Sequence, residues 1–423
     1  MIKTAADGSN GETLRLVIVS DLHYRVGGGG TGPLPAAAGG EETRDPIGAF
    51  IEYAGKGPSA ADWKADYLLC PGDIPDQSSG EAFVRGWEKL KDLQEALSAR
   101  HLIAATGNHE VVSRSNDSRH DQAGNVEATL DPLGYLQQRD DYPSSLWNGV
   151  DRKWVYWGRG YEFIEDGDML LLLINSSHFH VTTRPNEYER GRISDTALDE
   201  LRRDIQNKVA TTPARGFLAL MHHHPVNHED LDVNLGRIDM MNGSRLLQVL
   251  SESGVGWLII HGHKHHGRLI LSQGDGCQSV VLAAGSAGAQ LSGGHGIRTR
   301  LQAYMVEIDL PCQRGAPSLR GSLSAVSWID NSWVSATDLK HGIPNGCGFS
   351  MPMIDVANVA HQIRKALQDF SDSYCSWSEI KEVVPDLRYL FPGQLKHLRN
   401  ELVRIGVKVT WPEDRYFPEQ LAP

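Results

Sequence analysis

The stretch that decides the reading is IIHGHKHHG, residues 259–267, in which His261, His263, His265 and His266 fall within six positions directly after an apolar run. Four imidazoles this close cannot all reach one ion while the backbone stays regular. Side chains on an extended segment alternate faces, so residues two apart point the same way. His261 with His263 and His263 with His265 both satisfy that spacing, and the local pattern leaves both pairs open.

Working outward, the same run is one of a series of short, apolar, β-rich segments: LRLVIVSD (14–21), DYLLCPGD (66–73), HLIAATGN (101–108), MLLLLINSS (169–177), GFLALMHHH (216–224), GWLIIHGH (256–263) and SVVLAAGS (279–286). Helical patterns lie between several of them, such as SSGEAFVRGWEKLKDLQEALSA and SDTALDELRRDIQNKV, the second with Ser194 as its N-cap and Leu198 and Leu201 on its buried face. Nearly continuous apolar strands alternating with helices predict a buried sheet in an α/β domain. Polar functional residues in such sheets collect just past the carboxyl ends of the strands. Beyond about residue 300, AYMVEIDL and LRGSLSAVSWI read as edge strands.

Composition narrows the function class. The chain has 423 residues and a net charge of −12, with ordinary hydrophobic (40%) and charged (22%) content, as for a soluble globular protein. That balance argues against a broad cationic face for non-specific nucleic-acid binding, while leaving room for a local basic patch or a metal centre. The five cysteines are scattered without CxxC spacing, which implies neither a disulfide framework nor a cysteine zinc site. The amino terminus lacks a secretory apolar region and no apolar run approaches the ~18 residues of a membrane span, so a cytoplasmic location is expected.

Three stretches stand outside the periodic core. Residues 27–46 form a glycine- and proline-rich loop without a phosphate-binding GxxxxGK[ST] motif. Residues 111–160 read as a polar insertion with scattered aromatics, either a surface excursion or a lid. Around HGIPNGCGFSMPM (341–353) the composition turns linker-like.

The strand ends carry the chemistry. The first offers Asp21 and His23; the second, Asp73 and Asp76; the third, Asn108, His109 and Glu110; later ends contribute MHHHP and HGHKHH. Carboxylate, carboxamide and imidazole donors suit Mn²⁺, Fe²⁺ or Zn²⁺ better than Ca²⁺. Two ions roughly 3.5–4 Å apart require a bridging carboxylate and ligands arriving from both sides.

DLH, GD, GNHE, a strand-ending His and GHKH resemble, in order, the five sequence blocks of the calcineurin-like metallophosphoesterases, over about residues 13 to 310. The resemblance implies an αββα fold, a two-sheet β sandwich flanked by helices, and two divalent metal ions, with Mn²⁺ favoured and Fe, Zn or Mg as alternatives. It selects His263 and His265 as the ligand pair of GHxH. It implies Asp21, His23, Asp73 and His265 at one ion and Asp73, Asn108, His222 and His263 at the other, His222 being the first of the three histidines in MHHHP. It also implies that His109 is the catalytic imidazole and Asp76 the carboxylate that orients it. On this reading His223, His224, His261 and His266 stand outside the ligand shells, His178 and His180 either reach the cleft or are simply exposed, and AAGSAGAQLSGG is a loop beside the site.

The expected organisation is a catalytic domain over 1–335, a linker over 336–354 and a helical or winged-helix-like appendage over 355–423. One helix of the appendage carries Lys396, His397, Arg399 and Arg404, compatible with nucleic acid, but near-balanced charge favours docking to a protein partner or self-association. The substrate expected is a phosphoester, and no membrane partner is expected. Protein phosphatases of the superfamily continue GDxxD with Arg-Gly, whereas Gln77 and Ser78 stand here. The forms of GNHE and GHKH look closer to bacterial phosphodiesterases, so a diesterase acting on a nucleotide or nucleic acid, possibly a nuclease, is expected ahead of a phosphomonoesterase or a non-catalytic scaffold.

Overall fold

The computed structural model describes residues 13–25, 44–56, 60–76, 78–111, 134–147, 150–180, 187–227, 239–272, 276–289, 299–313, 315–338, 340–370, 374–412 and 415–423. The apolar runs become strands β1 (Thr13–Ile18), β2 (Tyr67–Cys70), β3 (His101–Ala104), β4 (Tyr161–Asp166), β5 (Met169–Ile174), β6 (Gly216–Leu220), β7 (Trp257–His261), β8 (Arg268–Leu271) and β9 (Val280–Ala283). They are followed by β10 (Gln302–Asp309), β11 (Leu319–Ile329), β12 (Ser332–Ser335) and β13 (Cys347–Met351). One sheet has the order β12-β11-β10-β1-β2-β3, with β13 also paired to β11; the other has the order β4-β5-β6-β7-β9-β8.

The alternation of side chains makes these sheets a sandwich. In the second sheet Leu171, Leu173, Leu218, Leu220, Leu258 and Ile260 join the same buried cluster as Leu16, Ile18 and Leu69 of the first. Their sequence neighbours Leu170, Leu172, Phe217, Trp257 and Ile259 pack instead against the outer helices. Both faces of these strands are therefore dry, which is why they read as continuous apolar runs rather than alternating ones. Helices α1 (Pro46–Lys56) and α2 (Gly80–Ala96) contribute to the first cluster. A third, α3 (Val150–Arg159), leads into β4. The second sheet is covered by α4 (Asp195–Thr211), capped by Ser194, and α5 (Gly243–Ser251).

Strands β1, β2 and β3 run parallel, as do β5, β6, β7 and β9. Their carboxyl ends meet along a seam of backbone bonds: Asp21 N–H to the Gly72 carbonyl at 3.0 Å, Gly262 N–H to His222 at 3.0 Å, and Ala287 N–H to Ser20 at 2.8 Å. The last of these, with the Ser20–Ser286 bridge, ties one sheet to the other.

Three expectations change. Strands β10 and β11 are interior, not edge: β10 lies between β1 and β11, and both of its faces are largely buried. Their serines, alanines and single charges lowered the apparent hydrophobicity that would have marked them as central. Residues 336–354 are not a bare linker, because β13 lies within them and adds to the sheet beside β11. The described part of 111–160 is not a surface excursion. Tyr142, Trp147, Tyr156 and Trp157 are buried, and the Tyr142 and Tyr156 hydroxyls meet Thr106 Oγ1 at 3.0 and 2.9 Å. Of the stretch 111–160 read as a lid or a surface excursion, residues 112–133 and 148–149 lie outside the described residues, as do residues 27–43 of the glycine-rich loop.

After β13 come α6 (Val356–Leu367), α7 (Trp377–Val383) and α8 (Pro392–Arg404), with a small sheet of Cys375–Ser376, Lys408–Thr410 and Gln420–Ala422. Asp355 caps α6 and Ser376 forms a capping box with Glu379 at the start of α7. Val359, Ile363, Ile380, Leu387, Leu395 and Leu398 belong to the same buried cluster as the first sheet.

Phe349, fully buried on β13, sits where the sheet meets this module. Phe349→Ala is expected to cost about 3–5 kcal/mol, the range for emptying a large aromatic site. Denaturant unfolding checks it: an unchanged midpoint would mean that β13 is not part of the folded sheet.

Candidate metal centre

The residues that end the parallel strands adopt an unusual backbone. Asp21 (φ 53°), His23 (50°), Asp73 (54°), His263 (78°) and His265 (56°) all lie in the left-handed region. That conformation costs a non-glycine residue of order 1–3 kcal/mol and persists only where the surroundings over-determine it. Here the surroundings are hydrogen bonds. Asp21 and His23 donate their amides to the Gly72 and Asp73 carbonyls, each at 3.0 Å. The buried Glu110 carboxylate accepts from the amides of Gly107 (2.8 Å), Asp73 (3.0 Å) and Ile74 (2.7 Å). Asp73 Oδ1 in turn accepts from His109 N–H at 2.8 Å, and Asp21 Oδ1 from His263 N–H at 3.1 Å. Gly107 and Gly262 fit because a side chain at either would strike Asp73 and Glu110, or Ser20 and Asp21.

Two sets of side-chain atoms converge on this frame. In the first, His23 Nε2 lies 3.1 Å from His265 Nε2, 3.9 Å from Asp21 Oδ1 and 3.7 Å from Asp73 Oδ2, and His265 Nε2 lies 3.3 Å from Asp21 Oδ1. In the second, His222 Nε2 is 3.0 Å from Asn108 Oδ1, 3.2 Å from His263 Nδ1 and 3.2 Å from Asp73 Oδ2, while His263 Nδ1 is 3.0 Å from Asn108 Oδ1. A tetrahedral shell with bonds of about 2.0–2.2 Å has ligand-to-ligand edges of roughly 3.3–3.6 Å, so both sets are spaced as donors around an ion are spaced. Asp73 Oδ2 belongs to both. The far sides of the rings are also engaged: His222 Nδ1 with the Pro71 carbonyl at 3.1 Å and His263 Nε2 with the Glu189 carbonyl at 2.8 Å. Such partners fix which nitrogen faces the centre.

The electrostatics suit cation binding. Burial raises Asp21 and Asp73, but the neighbouring imidazoles, His265 for Asp21 and His222 with His109 for Asp73, outweigh it and hold both carboxyls below their ordinary range. Burial pushes His263 well down, aided by His223 and His222, and it also lowers His23 despite the hydrogen bond that its ring donates to Asp76. Ionised carboxylates and neutral imidazoles are the forms that bind metal. His222 runs the other way: burial lowers it, yet Asp73, Asp21 and Glu110 raise it to about 9. A proton is held there by negative charge that a cation would neutralise. Burial, joined by the charge of Asp73, lifts Glu110 to about 7.

His109 Nδ1 lies 3.1 Å from Asp76 Oδ1, and Asp76 also meets His23 Nδ1 at 3.6 Å and Arg25 Nε at 2.7 Å. Asp21, His23, Asp73, Asp76, Asn108, His109, His222, His263 and His265, the ligands and catalytic pair expected from the sequence, thus lie together at one rim. His261 is buried, its ring bonded to the Gly262 carbonyl and pushed down to about 4 by burial. His223, set aside from the sequence, lies with His222 and His263 in a group able to hold an ion, and Ser176 Oγ meets its Nδ1 at 2.8 Å. His180 is buried with its ring 4.9 Å from that of His223. Glu110 had no role in the sequence reading; only its place at the end of GNHE hinted at one.

The family description "Calcineurin-like phosphoesterase" matches residues 14–267, more than half of the chain. The chain belongs to the calcineurin-like phosphoesterase family. Membership implies a hydrolase that works with divalent metal ions, and the donor set above fits them. A second description, "wHTH-Calcineurin_assc", matches residues 353–403, the helical module. No curated protein matches the chain. Among solved structures it is similar to a dimetal phosphatase from Danio rerio (14% identity, TM-score 0.41, covering 73% of this chain and 95% of that one). It is also similar to a purple acid phosphatase from yellow lupin, Lupinus luteus (14% identity, TM-score 0.45, 77% of this chain and 53% of that one). A 5′-nucleotidase from Candida albicans is more distant (11% identity, TM-score 0.33, 75% and 52%). The family match, not these remote likenesses, carries the assignment.

The Glu110 clamp yields a test. Glu110→Gln presents an NH₂ group where only acceptors fit, so at least one buried amide of Gly107, Asp73 or Ile74 loses its partner. The expected loss is about 1–3 kcal/mol of stability per orphaned amide, read by chemical denaturation, together with weaker metal retention. A variant as stable and as metal-loaded as the parent would remove Glu110 from the frame.

Proposed function

We propose that this chain hydrolyses phosphodiesters of nucleotide or nucleic-acid type at a dinuclear centre. The observation that carries the reading is the convergence of two donor sets on a shared Asp73 Oδ2. Asp21, His23, Asp73 and His265 would hold one ion, and Asp73, Asn108, His222 and His263 the other. Mn²⁺ is the favoured pair, with Fe, Zn or Mg as substitutes of compatible donor preference. Divalent ions bound there supply charge neutralisation for phosphoryl oxygens and acidify water.

The chain's own groups supply the rest. The frame of Glu110, Gly107 and the Asp73 backbone keeps the donors in place. His109, mostly buried and oriented through Nδ1 by Asp76, would present Nε2 to hold or deliver a proton at the departing oxygen. The hydrogen bonds from His109 and His23 outweigh burial and keep Asp76 ionised, which suits it to that orienting role. A diester rather than a monoester is supported by the forms GNHE and GHKH and by the winged-helix description of the module. Lys396, Arg399 and Arg404 are exposed on α8, where they would meet a nucleic acid or an acidic protein partner.

Purified protein with Mn²⁺, offered an aryl monoester, an aryl diester, cyclic nucleotides and single- and double-stranded nucleic acids, tests the reading. The diesters are expected to turn over fastest, and Asp73→Asn to abolish activity by removing the shared ligand. His109→Ala should lower turnover by about 10²–10⁴-fold with both ions retained. Full activity of Asp73→Asn would sink the mechanism, and metal loss in His109→Ala would make His109 a ligand.

Metal stoichiometry separates the crowded histidines. His222→Ala, His263→Ala and His265→Ala should each lose an ion, whereas His261→Ala should keep both. An ion lost from His261→Ala, or two kept in His263→Ala, would shift the ligand frame.

A further inference from the structure

Arg25 belongs to neither donor set, yet its place beside the centre is built from the backbone outward. His23 N–H donates to the Asp73 carbonyl at 3.0 Å, Tyr24 N–H to the Ile74 carbonyl at 2.9 Å, and Asp76 N–H to the Tyr24 carbonyl at 2.7 Å. This short parallel ladder, which includes the Tyr24–Pro75 bridge, sets residues 23–25 alongside residues 73–76. The buried Tyr24 ring anchors it in the core. The next side chain is thereby delivered to Asp76: Arg25 Nε lies 2.7 Å from Asp76 Oδ2. The other carboxylate oxygen, Oδ1, faces His109 Nδ1 at 3.1 Å and His23 Nδ1 at 3.6 Å. One oxygen of a buried carboxylate serves the rings, and the other serves a guanidinium.

That division decides how Asp76 can hold a ring. The torsion that turns an aspartate carboxylate is broad and nearly two-fold, so bonds to one oxygen alone leave the carboxylate plane free to swing. Arg25, itself pinned by the ladder, closes that freedom at the second oxygen, and the charge on the donor makes its bond roughly twice as strong as a neutral one. With the Arg25 side chain 45% exposed, the pair adds little to stability; what it fixes is direction. We infer that Arg25 is a positioning residue for His109, acting through Asp76. The inference rests on the reading of His109 as proton donor. In that reaction water's oxygen bonds phosphorus, the P–O bond to the departing group breaks, and its electron pair stays on the leaving oxygen, which takes the His109 Nε2 proton. A ring held in one orientation contributes most where that oxygen is most basic.

Two measurements on the full chain test it together: histidine-¹⁵N NMR with diamagnetic Zn²⁺ bound, and hydrolysis of methyl phenyl and methyl 4-nitrophenyl phosphate with Mn²⁺. The parent is expected to show a slowly exchanging ring N–H at His109, identified by its loss in His109→Gln, and Arg25→Met to lose it to solvent exchange. Arg25→Met should lower kcat on the phenyl ester about 10–100-fold, the range for a group that orients a functional side chain. The 4-nitrophenyl ester, whose departing oxygen needs little help from a proton, should lose several-fold less. KM should match the parent for both esters, and Arg25→Lys, which still donates to Oδ2, should recover the resonance and the rate. Arg25→Ser carries the test if Arg25→Met is misfolded by circular dichroism. A ring N–H unaltered in the variant, or absent from the parent, overturns the inference, as does a loss confined to KM or equal for both esters. A parent that hydrolyses neither ester defeats the proposed reaction instead, and the ring resonance then decides the role of Arg25 by itself.

Discussion

One buried carboxylate underlies the whole centre. Glu110 is fully buried and accepts three amides, from Gly107, Asp73 and Ile74. Those bonds hold the chain in the left-handed turn that carries Asp73, and Asp73 in turn positions His109 through its own oxygen. Strain at five donor-bearing residues would relax if that frame were loose. The fold therefore holds backbone conformations that isolated peptides avoid, and uses them to turn five side chains off the strand ends toward one point.

The strands were legible because burial on both faces leaves an unmistakable apolar run, and the donor residues because they terminate those runs in a fixed order. His263 and His265 needed the family pattern; the spacing of IIHGHKHHG alone left His261 in contention. In the structure its Nδ1 meets the Gly262 carbonyl at 3.1 Å, and among the described residues it joins none of the groups able to hold an ion. Less was visible where polarity and burial part company. Strand β10 buries Gln302 and β11 buries Ser327, and the aromatics of 142–157 sit in a stretch whose average composition is polar. The role of Glu110 was hidden because a clamp on amides leaves no spacing in the sequence.

The helical module is joined to the catalytic sheet by more than a tether. Strand β13 pairs with β11, the Gly348 amide donates to the Leu390 carbonyl at 2.9 Å, and Arg320 meets Asp386. Its buried leucines continue the cluster that fills the sandwich.

The parallel arrangement of the strands also governs when the centre can exist. His23 and His265, whose ring nitrogens meet at 3.1 Å, are 242 residues apart in the chain, and β1 finds its antiparallel neighbour only in β10. Contacts of such separation form late, because loop-closure entropy must be overcome before they give anything back. A ribosome releasing this protein has extruded Asp21, His23, Asp73 and Asn108 long before any histidine that could complete their shells. Were ions held by these donors, their capture would be a late act of biogenesis, open only to a chain synthesised past residue 265 and folded across both sheets.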